Sequence, residues 1–420
     1  MINYDLIIFG GGTAGCAAAY TAGKLGFKTL LVEKKIHLGG SITSGLVVPA
    51  MKCGENQINT DFFEIFTEKM SEIGGQIEYQ GNKGWYNPEL AKIVLEKLMS
   101  EANVDVVYNI STFNIEIKDK NIKSIKLLSP YNDTLYDCNE LLFEPIETRY
   151  IIDATGNCEI GKLCNCNFLN NNDEYQPCSL RFIMSNIDLK AFSEWLLELD
   201  KDRDVTTVEY INGQIHLSAA CTWDKKWALT PLFNNAVKRG VLKDSDRNYF
   251  QIFTVAGMPG AIAFNCPRII EKTDYSNTLK EARQAIYRLS EFCKKYLPGF
   301  EKAYISNIAD ELGVRVSNRI KGKYVYTKDD LLSGKKFDNP VVVSNYPIDV
   351  HSARKGESTF KMTNEYMLPI EALMSDDIDN LFVAGRCLSA DFMAQGALRV
   401  QPSCFSMGEG LVKYIFNHQS

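Results

Sequence analysis

Residues 5–33 read DLIIFGGGTAGCAAAYTAGKLGFKTLLVE. The apolar run Leu6 to Phe9 predicts a buried strand, Ala14 to Gly26 a helix, and Thr29 to Val32 a second buried strand closed by Glu33. At the first turn, Gly10, Gly12 and Gly15 satisfy the G-x-G-x-x-G pattern of dinucleotide-binding βαβ units. Gly10 permits the tight turn, Gly12 lets a pyrophosphate approach the backbone, and Gly15 lets the helix pack on the strand. Thr13 and Ala14 stand where the helix begins, so its free N–H groups point at the phosphates. Glu33, 18 residues beyond Gly15 and followed by Lys34, is spaced to accept hydrogen bonds from ribose hydroxyls. A glycine triplet alone is weak evidence; strand, turn, helix, strand and acid in register are specific.

Working outward, 420 residues exceed the usual size of one core, so two domains are expected. The net charge of −6 offers no basic face for nucleic acid or anionic lipid. No apolar stretch reaches the ~18–20 residues that span a bilayer. The first apolar segment is already used as a strand and lacks a basic lead-in, so a cytoplasmic setting is expected. The 12 cysteines are dispersed, which favours reduced thiols over a disulfide framework. Cys158, Cys164, Cys166 and Cys178 lack the C-x2-C spacing of metal and cluster ligands, so no metal is expected.

Residues 37–54 are rich in Gly, Ser and Thr and read as a loop able to lie against a flat ligand. Helices are expected over Asp61 to Ile73 and Pro88 to Ala102, the latter capped by Asn87. Val104 to Tyr108 reads as a short strand, and Ile110–Ile117 with Ile122–Leu128 as a small antiparallel hairpin layer. Tyr150 to Asp153 is another buried strand, ending in Ala154-Thr155-Gly156. From about residue 175 the character changes. Asn212-Gly213 predicts a type I′ hairpin turn, Trp223 to Arg239 a helix, and Thr278-x-x-Glu281 a capping box opening a helix that stops at Pro298. Leu381 to Arg386 returns to strand and glycine turn, and Gly396 to Gly410 reads as a loop entering a helix.

With that pattern in view the chain resembles the FAD-dependent oxidoreductases of the glutathione-reductase-like flavoprotein superfamily. The resemblance spans most of the chain. Its pieces are the opening fingerprint, Leu38-Gly39-Gly40, Asp153-Ala-Thr-Gly156, Pro298-Gly-Phe-Glu301, Leu312-Gly-Val-Arg315 with Arg319 and Gly322, Tyr346 to His351, Leu368-Pro369, Leu381 to Ser389, and Gly396 to Pro402 with Met407-Gly408. It implies an α/β fold: a Rossmann-like three-layer FAD-binding domain, discontinuous over residues 1–172 and 346–420, with an inserted α+β substrate domain at 173–345. The implied cofactor is FAD, bound non-covalently, because Gly39 to Gly45 holds no histidine that could carry the flavin. Gly385-Arg386 replaces the Gly-Asp of related flavoproteins, and an arginine there would meet the pyrophosphate as a donor.

The expected contacts follow from these pieces. Gly39, Gly40, Ser41 and Thr43 would line the phosphate and flavin edge; Ala154, Thr155 and Gly156 the adenosine side; Gly396, Ala397, Val400 and Gln401 the flavin pyrimidine, with Arg399 either assisting or lying on the surface. His351 has two readings, a proton donor or acceptor near pKa 6.5 or a junction contact held by Asp349. Arg315 and Arg319, four apart, would share a helix face and clamp a carboxylate, or pair with Asp310 and Glu311 between domains. The expected activity is hydride transfer between FAD and a small organic, possibly carboxylated, substrate, with a separate electron donor or acceptor. A flavin monooxygenase and a non-catalytic flavin redox sensor are the alternatives, and either a monomer or a homodimer suits the chain.

Overall fold

The computed structural model describes residues 2–128, 144–169, 175–203, 205–221, 228–247, 249–270, 274–351, 357–360, 362 and 364–418. Strand Ile2–Phe9 runs parallel to Thr29–Val32 on one side and to Ile146–Asp153 on the other, with Leu6 opposite both Thr29 and Tyr150. Asp105–Val107 extends the sheet beyond Thr29–Val32 in parallel. The strand Leu381–Val383 pairs in parallel with Ile151 to Asp153. One parallel sheet thus takes strands from both ends of the chain.

The period of two along the first strand builds the layers. Leu6 and Ile8 join a core with Cys16, Ala17 and Ala18 of helix Thr13–Lys24. Ile7 and Phe9 face the other way, into a core with Phe113, Ile122, Ile125 and Leu127. Those four belong to the hairpin of Thr112–Lys118 and Asn121–Leu128, and Phe9 meets Phe113 at 4.9 Å between ring centroids. The hairpin is antiparallel, as expected, and it also joins the sheet. Ser124 and Ile125 pair antiparallel with Glu147 and Ile146, so it is hydrogen-bonded to the same sheet. The eight-residue strand Ile146–Asp153 is long enough to hold the hairpin at its start and Leu381–Val383 at its end.

Helices Thr13–Lys24 and Gln401–Asn417 pack closely because Gly408 has no side chain: a Cβ there would lie 2.1 Å from the Ala14 carbonyl oxygen. The stretch 396–410 is more helical than expected. Phe392–Leu398 is a short helix capped by Asp391, Arg399 and Val400 break it, and Pro402 opens the next.

Between these ends, residues 182–308 supply a six-stranded antiparallel sheet in the order 206–211, 214–221, 250–254, 262–264, 182–185, 304–308. Helix Tyr275–Tyr296 sets Ala282, Ile286, Leu289 and Phe292 in the main core, and Phe292 packs on Phe233 at 4.5 Å. The Asn212-Gly213 turn has φ of 50° and 78°, as a type I′ turn requires. Two helix starts differ from expectation. Thr230–Lys238 begins at Thr230-Pro231, where a missing N–H costs nothing, while 223–227 of the expected helix lie outside the described residues. Tyr275–Tyr296 begins a turn before the expected capping box, because Asp274 accepts from Asn277 N; Thr278 sits inside and donates back to the Asp274 carbonyl at 3.0 Å. Among the described residues no helix is long and apolar enough to cross a membrane.

Candidate functional site

A cavity of about 660 Å³ runs from the opening turn to the antiparallel sheet. Gly10 takes φ +93°, and a Cβ there would lie 2.6 Å from the Ala154 carbonyl oxygen, so the first turn is pressed against the Ala154 turn. Gly12 caps helix Thr13–Lys24 without a side-chain hydrogen bond, and a Cβ on Gly12 would meet nothing within 4 Å. The helix end therefore opens onto the cavity. Thr13, Ala14, Lys34, Gly40 and Ser41 line it too, and the Thr13 and Ser41 hydroxyls are 3.3 Å apart.

Glu33 lines the same end. One of its carboxylate oxygens accepts from Gly11 N at 2.6 Å and the other from Lys35 N at 2.9 Å, which fixes its rotamer and leaves further lone pairs for a ligand. Burial raises its pKa, against these backbone donors and the nearby Lys34 and Lys35, which favour the charged form. Ala154, Thr155, Gly156, Gly385 and Arg386 form the adjoining wall. Arg386 is held by donating Nη1–H to the Val314 carbonyl.

Six expected residues lie outside the lining: Gly15, Gly39, Thr43, Arg319, Gly396 and Ala397. Gly15 serves packing alone, since a Cβ there would fall 1.9 Å from the Gly10 carbonyl oxygen. Gly39 instead donates its N–H to the Gly11 carbonyl at 2.7 Å. The Thr43 hydroxyl turns inward to donate to the Leu38 carbonyl at 2.6 Å. Gly396 and Ala397 are buried inside helix Phe392–Leu398, with Gly396 against Val350. Arg315 and Arg319 share no helix, because residues 314–319 are irregular chain; Arg319 turns to the Ala390 carbonyl at 3.1 Å.

The far end of the cavity is cationic. Arg315 is buried, donates to the Pro177 carbonyl and to Ser179 Oγ, and lines the cavity with Arg399 and Arg181. Arg181 donates to the Val48 carbonyl at 3.1 Å. Burial pushes Arg315 down to about 9, reinforced by the charges of Arg268 and Arg399, and pushes Arg181 down to about 10. Arg268 stacks 3.2 Å over the Tyr249 ring. Arg399 donates to the Asp349 carbonyl at 2.9 Å and meets its carboxylate at 3.3 Å. Val400 and Gln401, at the start of helix Gln401–Asn417, complete this wall; Gln401 is pinned by Val47 at 2.8 Å and Tyr86 at 2.9 Å.

His351 stands in this field, buried, with Nε2 3.5 Å from Asp349. Burial first, then Arg315, Arg268, Arg399 and Arg181, drive its pKa far below the ordinary value. This environment favours the neutral imidazole. The consequence is a test. A histidine whose folded pKa is depressed contributes stability above its unfolded pKa of ~6.5 that is lost as pH falls below it. From pH 6 to 5, wild type is expected to lose about 1 kcal/mol more unfolding free energy than His351→Asn, by urea titration. Equal pH slopes would refute the charge assignment.

Arg181, Tyr249, Gln251 and Asn265 line the cavity and went unread in the sequence. The one available signal was Arg181 heading the buried strand Phe182–Ser185, a place where a cation needs a reason.

A family model described as FAD dependent oxidoreductase matches residues 5–411. Thiamine thiazole synthase from Pyrococcus horikoshii is 29% identical over 160 residues, 37% of this chain, and that from Thermococcus kodakarensis 26% over 160 residues. The match spans 58% of the length of these curated relatives. Among solved structures, a flavoprotein/dehydrogenase from Cytophaga hutchinsonii superposes with TM-score 0.47 at 11% identity, covering 99% of this chain and 80% of that one. A geranylgeranyl bacteriochlorophyll reductase-like protein from Thermoplasma acidophilum gives 0.45 at 14%, covering 99% and 79%.

Proposed function

Since the chain belongs to the FAD dependent oxidoreductase family and FAD is its cofactor, we propose that it transfers hydride between FAD and a small organic substrate held at the arginine-lined end of the cavity. The carrying observation is that one continuous cavity joins the uncapped helix start at Gly12 to His351, Arg315 and Arg399. The residues present fit the cofactor: an open approach over Gly12, an acid at Glu33, and a buried Arg399 Nε without a partner among the described residues.

In this reading Gly10, Gly12, Thr13 and Ala14 receive the pyrophosphate with Arg386 as a further donor, and Glu33 takes the ribose. Gly40, Ser41 and residues 154–156, which line the same cavity, would contact the cofactor. When bound, FAD supplies the two-electron chemistry, and the protein orients it and sets its electrostatics. The N-terminus of helix Gln401–Asn417, with Val400 and Arg399, directs positive potential at the end where charge develops on reduction. His351 acts as a neutral hydrogen-bonding group toward the substrate. Residues 1–172 with 346–420 form the FAD-binding part and 173–345 the substrate part, Tyr249 and Gln251 supporting that division from the opposite wall. A cavity holding a histidine and arginines favours an enzyme over a redox sensor.

Anaerobic mixing of the yellow holoprotein with amino acids, hydroxy acids, dicarboxylates and NAD(P)H is the test. Bleaching of the flavin by an organic acid is expected. Bleaching by NAD(P)H alone, with oxygen then consumed on a second substrate, would replace this reading with a monooxygenase.

A further inference from the structure

Two guanidinium groups at the far end of the cavity have no salt-bridge partner among the described residues, and the acid that acts on one of them, Asp349 on Arg315, is already paired with Arg399. Arg399 is answered by Asp349, which lies 3.3 Å away. Arg181 and Arg315 have only neutral partners: the Leu46 and Val48 carbonyls for one, the Pro177 carbonyl and Ser179 hydroxyl for the other. Neither has an ion-pair partner among the described residues. The other acidic groups on the lining, Glu33, Glu159 and Glu311, lie at the opposite end, where Glu159 and Glu311 pair with Lys34 and Lys35. Leaving a buried charge unanswered costs several kcal/mol, so a fold that holds Arg315 buried and Arg181 half-buried beside one cavity is built for an anion.

The anchors also say how the negative charge is distributed. Arg181 hangs from the loop at residues 46–48, Arg315 from the segment 177–179. The two guanidinium groups are thus anchored independently, on different segments, so each can answer a carboxylate of its own.

Resting on the hydride-transfer reading, we propose that this end of the cavity binds a small dicarboxylate, one carboxylate answered by Arg181 and the other by Arg315. His351 and Tyr249 line the space between the polar walls and supply neutral contacts to the carbon skeleton.

The test titrates the FAD holoenzyme anaerobically with succinate, butyrate and inorganic phosphate, read by the change in flavin absorbance. Succinate is expected to saturate at a concentration at least about tenfold below butyrate, the effect of one further charge-assisted contact. Arg181→Gln and Arg315→Gln should each remove that preference. Arg315→Lys, which keeps the charge, should keep part of the preference, and Arg181→Gln decides the matter if Arg315→Gln does not retain FAD. Equal binding of succinate and butyrate, phosphate binding as tightly as succinate, or glutamine variants that keep the preference would each overturn the proposal. Succinate-type acids that bind with this preference while no acid in the panel bleaches the flavin would support the anion site and withdraw the hydride-transfer reading. Bleaching by acids without the preference would do the reverse.

Discussion

Gly12→Val is expected to give a folded protein that takes up no FAD. A Cβ at position 12 meets no protein atom within 4 Å, and the residue's φ of −77° and ψ of −166° are open to valine. The glycine contributes no side-chain cap that could be lost. Folding therefore has little reason to change. The branched side chain would instead fill the space over the helix start, where the pyrophosphate needs close contact with backbone N–H groups. Losing two such charge-assisted hydrogen bonds, each about 1.5–3 kcal/mol, weakens FAD binding by about a hundredfold or more. The check is circular dichroism and urea unfolding of the apo forms beside fluorescence titration with FAD. Wild-type affinity in the variant would remove Gly12 from the cofactor site.

Gly15→Ala, three residues on, is expected to fail in the opposite way. Its Cβ would sit 1.9 Å from the Gly10 carbonyl oxygen, backbone against side chain, with no flexible group to yield. Relief requires the opening helix to move off its strand. That helix also carries Ala14, on which Gly408 packs, so the shift would open a second contact. Overpacking costs typically 1–3 kcal/mol and more where backbone must move, and about 3 kcal/mol is expected here. Against a usual stability of ~5–15 kcal/mol this is a large share. The urea midpoint of the apo protein should fall sharply in Gly15→Ala and little in Gly12→Ala. Similar midpoints would mean that the helix can pivot without loss.

What was legible in the sequence was local. A turn, a helix start and the acid after the next strand lie within 29 consecutive residues, and hydrogen bonds between near neighbours dictate their geometry. The lining therefore includes Gly10, Gly12, Glu33, Ser41, Thr155, Arg386 and Val400, each beside a turn or helix end that the chain announces. Thr43 and Gly396 shared the same composition and were read the same way. Their side-chain directions depend on which carbonyl or strand lies opposite, Leu38 for one and Val350 for the other. Spacing does not encode that.

The sequence by itself determined the parallel sheet, the turn at Gly10 to Gly15, the acid at Glu33 and the class of cofactor. Only the tertiary structure decided the character of the other end. Arg181, Arg268, Arg315 and Arg399 come from four separate segments, and no window of the chain contains more than one beside His351. Assembled around an imidazole whose burial already disfavours its charged form, they add to that effect and make the cavity end cationic. Coulomb energy depends on distance in space and on the exclusion of water. Both are set when remote segments pack together, so neither can be read along the chain.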